Sequence, residues 1–358
     1  MTMTSRIRPH PIPPNSLART LDAIGDRWTL LILRDAFLGV RRFEQWQQHL
    51  RIARQLLAVR LRRLVADGLL SRLPYQAHPP RHDYRLTEMG RDLYPLALMI
   101  RQWERRWGSG VDANVGEVML LHRSCGSRAE PLCVCAKCGE KLDAHQIKVR
   151  ARSVTDDASY PWPRRQRRSS AISSRDRQPF LHDAIDILGD RWTYILLIAI
   201  FYGLRRYGEL NQALGISTNV LSDRLMRLMQ AQILQHVTAN EGRNYHEYVL
   251  TDKGSDLFPV MVSLLQWGER WLPGSRGPHG IIHHQLCGKS LRTRIVCDIC
   301  SETLRSLDVD YRWPETRRPS IRKHLQHDRF VAKTPRVRPR TPMQRLGALV
   351  PNSDTRYT

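Results

Sequence analysis

Two short segments of the chain carry histidine and cysteine at spacings that suit metal ligands. In the first segment His122 precedes Cys125 by three positions, and a Cys-x-x-Cys pair follows at Cys135 and Cys138. The second segment repeats these spacings with His284, Cys287, Cys297 and Cys300. A Cys-x-x-Cys pair can present two thiolates to one metal ion, and a third cysteine with a histidine completes a tetrahedral zinc site. The sequence therefore predicts two structural zinc sites, each completed within its own segment.

The same residues admit other interpretations. The Cys-x-x-Cys pairs could form reversible disulfides that sense oxidants, or the cysteines could be ordinary buried side chains. His283 is an alternative nitrogen ligand beside His284, and Cys133 has no counterpart in the second segment. A catalytic zinc site is disfavoured because four protein ligands leave no open coordination position, and the sequence has no glycine-rich phosphate loop or nucleophile elbow. We therefore expect a protein that is not an enzyme.

Each Cys/His segment follows one copy of a longer repeat. The sequence Gly-Asp-Arg-Trp-Thr at residues 25–29 returns at residues 189–193, and the offset of 164 positions holds as far as Trp107 and Trp271. Two copies are too few for a solenoid, which needs at least about three units. A copy of roughly 100 residues can bury a core of its own. The repeat therefore predicts two similar domains in tandem that act as a pair.

Composition sets the boundaries between these units. The stretch from residue 148 is rich in arginine and serine without apolar periodicity, and the C-terminal stretch interleaves arginine with proline. Such segments are typical of flexible tethers and tails. We expect a basic N-terminal arm (1–14), a first domain (15–110), a first zinc knuckle (118–147), a basic flexible linker (148–178), a second domain (179–274), a second zinc knuckle (280–310) and a disordered basic tail (311–358).

The net charge points to a polyanionic partner. Lysine and arginine number 57 against 34 acidic residues, which gives a charge of +23 and an isoelectric point of about 10.5. Such a chain attracts nucleic acid first and anionic membrane surface second. No run of eighteen apolar residues occurs and the N-terminus lacks the apolar centre of a signal peptide, so we expect a cytoplasmic, nucleoid-associated protein with no membrane partner.

The apolar spacing within each copy predicts a helix-turn-helix. In copy one, helical spacing continues on both sides of residues 25–26, then through a short helix around Trp46, a turn at Arg51 and a further helix from Ala53. Copy two repeats the pattern, with a turn at Gly215 and Ser217 or Thr218 as a helix cap. Strand-like runs follow at residues 69–73 and 83–87, around a proline-rich loop at 74–80, and at residues 234–238 and 245–251. These runs predict a β-hairpin wing after each helix-turn-helix, and hence a mainly α, α+β fold of tandem winged helix-turn-helix domains.

The second helix of each helix-turn-helix, the recognition helix, carries an outward face that can read DNA. Arginine suits guanine O6 and N7, whereas asparagine or glutamine suits adenine N6 and N7. Basic residues near the wing tips could reach the minor groove or flanking phosphates. The candidate DNA contacts are Arg54, Gln55, Arg60, Arg62, Arg63, Arg81 and His82 in copy one and Thr218, Asn219, Ser222, Arg224, Arg227 and Arg243 in copy two. The two faces differ, so we expect unlike half-sites; Arg60 and Arg224 could instead contact a phosphate or a local carboxylate.

These motifs resemble the HxlR-type winged helix-turn-helix transcriptional regulators of prokaryotes. The resemblance rests on residues 19–29, 41–44, 60–70 and 84–90 in copy one and on residues 187–193, 205–210 and 248–254 in copy two. It implies a cytoplasmic, dimeric DNA-binding regulator in which the helix from Ala53 reads the major groove. Many members of that family resemble redox sensors with a cysteine just before the first helix, where this chain has residues 15–16 and 179–180 without sulfur.

A further helix after each wing carries a short apolar seam. Its apolar residues follow intervals of 3, 4, 3 and 4 positions in both copies. They are Leu93, Leu96, Ile100, Trp103 and Trp107 in copy one and Leu257, Val260, Leu264, Trp267 and Trp271 in copy two. In the resembled family this helix lies in the dimer interface. We therefore expect an internal pseudo-dimer of the two copies or, by pairing between chains, a homodimer.

Together these features predict a sequence-specific regulator of transcription that binds double-stranded DNA, a repressor rather than an activator. No small-molecule effector is identifiable from the sequence. The alternative is a zinc-stabilised module that binds protein or RNA through degenerate winged helices.

Overall fold

The computed structural model of the chain describes residues 15–78, 80–108, 118–151, 182–238, 246–273 and 280–312. The expected N-terminal arm, most of the expected linker and tail, and the candidate contact Arg243 lie outside these residues. Among the described residues, no helix combines the length and the apolar character that crossing a membrane requires.

Among the described residues, each copy has six α-helices and one hairpin, followed by a segment with three short strands. Copy one contains α1 (Asn15–Ile24), α2 (Arg27–Phe37), α3 (Phe43–Leu50), α4 (Arg54–Ala66), β1 (Leu70–Gln76), β2 (Arg81–Leu86), α5 (Glu88–Arg91) and α6 (Tyr94–Trp107), and then β3 (Met119–His122), β4 (Pro131–Cys135) and β5 (Ile147–Ala151). Copy two contains α7 (His182–Leu188), α8 (Arg191–Phe201), α9 (Tyr207–Leu214), α10 (Thr218–Gln230), β6 (Leu234–Thr238), β7 (His246–Leu250), α11 (Asp252–Ser255) and α12 (Phe258–Trp271), and then β8 (Gly280–His284), β9 (Thr293–Cys297) and β10 (Val309–Arg312). The prediction of tandem winged helix-turn-helix domains is confirmed.

The helix-turn-helix of copy one is α3 followed by α4. Trp46 of α3 is fully buried and donates its Nε1 hydrogen to the Ile32 carbonyl oxygen at 3.2 Å, which fixes α3 against α2. The turn after α3 places Arg51 in the left-handed region with φ 48°, and the turn after α9 places Gly215 there with φ 59°. Ser217 occupies the N-cap position of α10, but its side chain makes no capping hydrogen bond, so the expected cap is absent there.

Each wing is an antiparallel two-stranded ribbon. In copy one the pairing runs from Leu70 opposite Leu86 to Gln76 opposite Arg81. The strand expected to end at residue 73 continues through Pro74, because a two-stranded ribbon leaves an edge that needs no donor from proline, and the register shifts just after it. In copy two β6 pairs with β7 in the expected place.

The two copies pack against each other through their first and last helices. Helix α1 packs on α12, α7 packs on α6, and α6 and α12 contact each other. The tryptophans of the two seams donate hydrogen bonds across this interface: Trp103 to the Lys253 carbonyl oxygen at 2.9 Å and Trp267 to the Met89 carbonyl oxygen at 3.0 Å. The apolar seam therefore joins the copies as well as packing within each.

Two ion pairs formed by buried arginines also cross this interface. Arg27 of copy one lies 2.5 Å from Asp186 of copy two, and Arg191 of copy two pairs with Asp22 of copy one. Both arginine side chains are almost fully buried. These arginines belong to the repeated Gly-Asp-Arg-Trp motif, so one motif supplies matching contacts from each side.

The strands after the two copies interleave. Strand β3 pairs with β10, β4 with β9 and β5 with β8, all antiparallel, so every ribbon has one strand from each copy. At the centre Cys133 lies opposite Ile295, its counterpart at the offset of 162 positions that relates the two Cys/His segments. The expectation of two separate knuckles is therefore wrong: the segments form one shared unit, here called the clasp (residues 118–151 and 280–312). Residues 148–151, expected in the linker, belong to β5 of this clasp.

Candidate metal centres and candidate nucleic-acid interface

The eight metal-ligand candidates of the sequence form two clusters in the clasp. One contains His122, Cys125, Cys297 and Cys300, and the other contains Cys135, Cys138, His284 and Cys287. In each cluster the four candidate ligand atoms lie within 4.8 Å of one another. The sequence identified the residues but grouped them wrongly, because strand pairing brings the histidine and first cysteine of one segment to the Cys-x-x-Cys pair of the other.

The distances within the first cluster suit a tetrahedral metal. His122 Nδ1 lies 3.5 Å from Cys125 Sγ and 3.2 Å from Cys300 Sγ, and Cys125 Sγ lies 3.9 Å from Cys297 Sγ. Tetrahedral zinc with bonds of about 2.3 Å to sulfur and about 2.0 Å to nitrogen places its sulfurs about 3.8 Å apart and its sulfur and nitrogen about 3.5 Å apart. The donor set and its spacing therefore fit one ion of this kind.

The second cluster has the same geometry. His284 Nδ1 lies 3.3 Å from Cys138 Sγ and 3.5 Å from Cys287 Sγ, and Cys135 Sγ lies 4.0 Å from Cys287 Sγ. His284 is fully buried, whereas the neighbouring His283 is half-buried on the opposite face of β8, which selects His284 as the nitrogen donor. All seven cysteines lie among the described residues, and none forms a disulfide.

Tight turns hold the ligand pairs in place. After the first histidine, the Gly126 N–H donates to the His122 carbonyl oxygen at 2.8 Å, and after Cys135 the Gly139 N–H donates to the Cys135 carbonyl oxygen at 2.9 Å. Both glycines adopt positive φ, which a residue with a side chain rarely does. Such turns aim successive donors at a single point, as a metal knuckle requires.

The thiols of the clasp have unequal acidity. A hydrogen bond from the Ser127 backbone, with smaller contributions from His122 and Cys300, lowers the pKa of the Cys125 thiol to about 7. Burial raises the pKa of Cys133 to about 12, so this cysteine stays a neutral thiol. Cys133 is outside both clusters. It is therefore a core residue at the centre of the clasp, whereas the other six cysteines are candidate ligands.

The recognition helices α4 and α10 present most of the candidate DNA contacts to the exterior. Side chains exposed on α4 are Arg54, Gln55, Arg62 and Arg63, and those exposed on α10 are Thr218, Asn219, Ser222 and Arg227. On the first wing Arg81 is exposed, and His82 is half-buried with its Nδ1 3.0 Å from Arg72 Nη2. The exposed face of α4 is dominated by arginine and that of α10 by short polar side chains.

Arg60 and Arg224 point inward, unlike the other candidates. Arg60 Nη1 lies 3.2 Å from Asp26 Oδ2, and Arg224 Nη2 lies 2.5 Å from Asp190 Oδ2. Both guanidinium groups are half-buried or more. Both arginines thus contact local carboxylates, the alternative that the sequence had left open.

The partner aspartates are the functional residues that sequence reasoning missed. Asp26 caps α2 by accepting from the Trp28 and Thr29 backbone N–H groups at 3.1 and 3.2 Å, and Asp190 caps α8 in the same way. Each aspartate therefore fixes the start of a core helix and holds an arginine of the recognition helix at once. The signal that could have found them was the shared offset of 164 between both aspartates and both arginines.

Other side-chain contacts restrain the exposed faces. The Arg54 guanidinium lies over the Phe43 ring at 5.2 Å, and Arg63 donates to the Asp22 carbonyl oxygen at 2.6 Å. On α10 the hydroxyl groups of Ser222 and Tyr207 lie 3.1 Å apart, and Arg227 pairs with Asp223 at 3.0 Å. Gln55 in copy one and Asn219 in copy two, near the start of the recognition helices, are both exposed.

Two helix-turn-helix units with hairpin wings, each followed by half of a shared Cys/His clasp, define a tandem winged helix-turn-helix protein. The sequence profile of the HxlR-like helix-turn-helix family matches residues 23–112 and again residues 187–276, which together make up half of the chain. The chain therefore belongs to the HxlR-like helix-turn-helix family.

Individual relatives match part of the chain. Over 138 residues the chain is 44% identical to the HTH-type transcriptional regulator Rv3095 of Mycobacterium tuberculosis, which spans 38% of this chain and 86% of the relative. Over 94 residues it is 34% identical to the HTH-type transcriptional regulator YdeP of Bacillus subtilis, spanning 26% of this chain and 73% of the relative. The crystal structure of PA1607, a candidate transcription factor, is similar with 38% identity, a TM-score of 0.33, and coverage of 39% of this chain and 94% of that one. The family and its named relatives are transcriptional regulators.

Proposed function

We propose that the chain is a sequence-specific regulator, and a repressor, that binds double-stranded DNA with both winged domains of one molecule. The observation that carries this proposal is that two domains with exposed, polar recognition helices pack against each other through helices α1, α6, α7 and α12. Paired winged helices of this kind present their recognition helices to major grooves about 34 Å apart, one turn of DNA. A repressor needs only such occupancy of its site, because binding alone excludes other proteins.

The difference between the recognition helices supports unlike half-sites. Arginine and glutamine on α4 suit guanine and adenine edges, whereas Asn219 on α10 suits adenine and Ser222 can contact several bases. A single chain with two different heads would thus favour an asymmetric site over a palindrome. The charge of +23 supplies sequence-independent attraction to phosphate on top of this selectivity.

The two clusters support structural zinc. Three cysteines and one histidine form a soft, four-ligand set that suits zinc and leaves no open coordination position for substrate. When bound, the metal would supply a fixed tetrahedral crosslink and deprotonate its cysteine ligands. His122, Cys125, Cys297 and Cys300 would hold one ion, and Cys135, Cys138, His284 and Cys287 the other.

The experiment that tests DNA reading is selection of bound duplexes from a random pool, repeated with single variants. Asn219→Ala is expected to relax selectivity in one half-site by about 1–3 kcal/mol per lost base contact, and Gln55→Ala is expected to relax the other. Arg54→Ala and Gln55→Ala change copy one only, so each serves as the control for the half-site of copy two.

Four results would count against the proposal. If Asn219→Ala and Gln55→Ala both selected the same DNA sequences as the parent protein, α4 and α10 would not be the helices that contact bases in the major groove. Salt-sensitive binding without any recovered sequence would leave only a basic surface. A preference for single-stranded RNA over duplex DNA would favour the interaction module instead. A palindromic site would indicate that two chains bind together, with the same winged domain of each chain on the two half-sites.

A further inference from the structure

The ligands of each cluster come equally from the two copies. In the first cluster His122 and Cys125 follow copy one, and Cys297 and Cys300 follow copy two; the second cluster reverses the roles. We propose that two metal ions staple the copies together, so that each ion binds only when the two halves of the clasp are paired. No ion held in this way can belong to one winged domain alone.

Backbone hydrogen bonds between the halves show how the staple is built. The Arg123 N–H donates to the Asp308 carbonyl oxygen at 2.8 Å, and at the equivalent place the Gln285 N–H donates to the Gln146 carbonyl oxygen at 2.9 Å. A second equivalent pair joins Ala136 to Arg292 and Asp298 to Glu130. Each of these bonds lies within a few residues of a metal ligand, so strand pairing and ligand assembly occur together.

The clasp is also fixed to the helices that pair the copies. The Gln266 side-chain oxygen on α12 accepts from the Thr293 backbone N–H at 3.2 Å and from its hydroxyl at 3.0 Å. Glu269 of α12 pairs with Arg292 at 2.6 Å, and on the other side Arg105 of α6 pairs with Glu130. Strand β4 and strand β9 both pack on α6. A metal-locked clasp is thereby connected directly to the seam that pairs the copies.

Thermodynamic linkage gives the staple its consequence. A ligand that binds only the paired state stabilises that state according to its own affinity and concentration. Metal at about 100 times its Kd would strengthen pairing by about 100-fold per site. The ions would therefore hold the two winged domains at one separation. The resulting preference for one half-site spacing rests on the proposed DNA-binding function. The ligand sharing itself does not depend on that function.

Paired cysteine substitutions in the full chain test the sharing. The probe is zinc, and the measurement is the number of ions per chain retained against the chelator 4-(2-pyridylazo)resorcinol. Cys125→Ser with Cys300→Ser removes two ligands from one shared cluster, so one ion per chain should remain. Cys125→Ser with Cys138→Ser removes one ligand from each shared cluster, so neither ion should be held tightly. Cys133→Val, outside both clusters, should retain two.

Ligation within each segment would reverse these results. The Cys125 and Cys138 double variant would then keep one ion, and the Cys125 and Cys300 double variant would keep none, which would overturn the proposal. Each double variant decides the question independently, so loss of folding in the Cys125 and Cys138 variant leaves the other result decisive. If one chain did not bind one DNA site, the proposed function would be refuted. The zinc counts of the variants would still support the shared metal sites.

A cleavable chain tests the mechanical consequence. A protease site is placed within residues 152–178, and the folded, zinc-loaded protein is cut there. The two halves should stay bound to each other. Removal of zinc by a chelator should raise the dissociation constant of the halves by about 100-fold or more. On DNA, the uncut chain with zinc should prefer one half-site spacing, and the metal-free chain should lose that preference by about tenfold. Equal dissociation constants with and without zinc would show that the seam alone pairs the copies.

Discussion

The two winged domains agree where they hold each other and differ where they face outward. The repeated Asp-Arg motif, the seam tryptophans and the Cys/His ligands occur at equivalent places in both copies and make equivalent contacts. The recognition helices instead expose arginine in copy one and short polar side chains in copy two. Pairing constrains both copies at once, whereas each reading face meets only its own half of a DNA site.

One buried feature also separates the copies. In copy one the Asp35 carboxylate is fully buried, accepts from Arg34 Nε at 2.8 Å and lies 2.6 Å from His49 Nδ1. The equivalent residues of copy two are Ile198, Ala199 and Ala213, all buried and none of them charged. The same fold thus tolerates a polar network between its second and third helices or an apolar contact in its place. The network is therefore optional for the fold, since copy two forms the same helices without it.

The largest expected effect comes from breaking that network. Asp35→Ala installs the residue of copy two and removes the carboxylate from both Arg34 and His49. Because the buried Arg34 guanidinium then loses this counter-charge and His49 loses this hydrogen-bond partner, the free energy of unfolding should fall by about 3–5 kcal/mol. Chemical denaturation of the full chain, followed by tryptophan fluorescence, measures this change.

The control for Asp35→Ala transfers the whole apolar set. The triple variant Arg34→Ile, Asp35→Ala and His49→Ala copies the residues of copy two, and apolar replacement of a buried ionic group is often neutral. It should recover most of the loss. A triple variant less stable than Asp35→Ala would show that the surroundings in copy one require the charges, and the two cores would then not be interchangeable.

The second effect concerns the aspartates that both copies share. Asp26→Ala and Asp190→Ala should each lower the free energy of unfolding by about 2 kcal/mol, because each removes a helix cap as well as the partner of a recognition-helix arginine. Asp26→Asn and Asp190→Asn keep the cap and remove the charge, so they should lose less stability. In selection from random DNA, sequence preference should weaken only in the half-site bound by the altered copy. Equal weakening in both half-sites would show that the two winged domains do not bind DNA independently.

Much of this organisation follows from the sequence because it depends on local periodicity. Helical spacing located the helix-turn-helix units, and the residues that suit metal ligands all meet in the clasp. The grouping of the ligands could not be predicted for a specific reason. Exchanging Cys135 and Cys138 for their counterparts Cys297 and Cys300 leaves three cysteines and one histidine in each site, so both groupings have the same chemistry. Only the pairing of distant strands distinguishes them.

The inward direction of Arg60 had a similar cause. The sequence groups it with Arg62 and Arg63, and both of these side chains are exposed. What turns it inward is Asp26, a residue 34 positions away whose own role at the start of α2 was not evident from spacing. Contacts between elements decide such cases, and sequence periodicity describes single elements.

The copies differ at one position of the helices that form the seam. Glu104 of α6 accepts from the Ala184 backbone N–H at 2.9 Å, whereas the equivalent Gly268 of α12 lies so close to Thr20 that a Cβ would collide with its hydroxyl. Burial raises the pKa of Glu104 above its ordinary value. The folded state therefore holds this proton to higher pH than the unfolded state, and stability should fall as pH rises from the unfolded pKa through the folded pKa.

Glu104→Gln should remove that pH dependence. The glutamine oxygen can still accept from Ala184, but it has no charge to desolvate, so the variant should be more stable than the parent at neutral pH and equal to it in acid. Thermal unfolding across the acid-to-neutral range measures the difference. If the melting temperatures of the two proteins changed with pH in the same way, the Glu104 carboxylate would be solvated. The difference between Glu104 and Gly268 would then have no effect on the pH dependence of stability.

The smallest effect concerns the turn of the helix-turn-helix, where copy one has Arg51 and copy two has Gly215. Both adopt positive φ, and around Gly215 no atom lies near the position of an added Cβ, so a substitution there meets only backbone strain. Gly215→Ala should lower the free energy of unfolding by about 1 kcal/mol, because the left-handed region is unfavourable for residues with a side chain. Gly215→Asn should lose less, since asparagine tolerates this region better. Equal stability of all three proteins in denaturant titrations would show that the turn relaxes, and that the arginine of copy one is held there without strain.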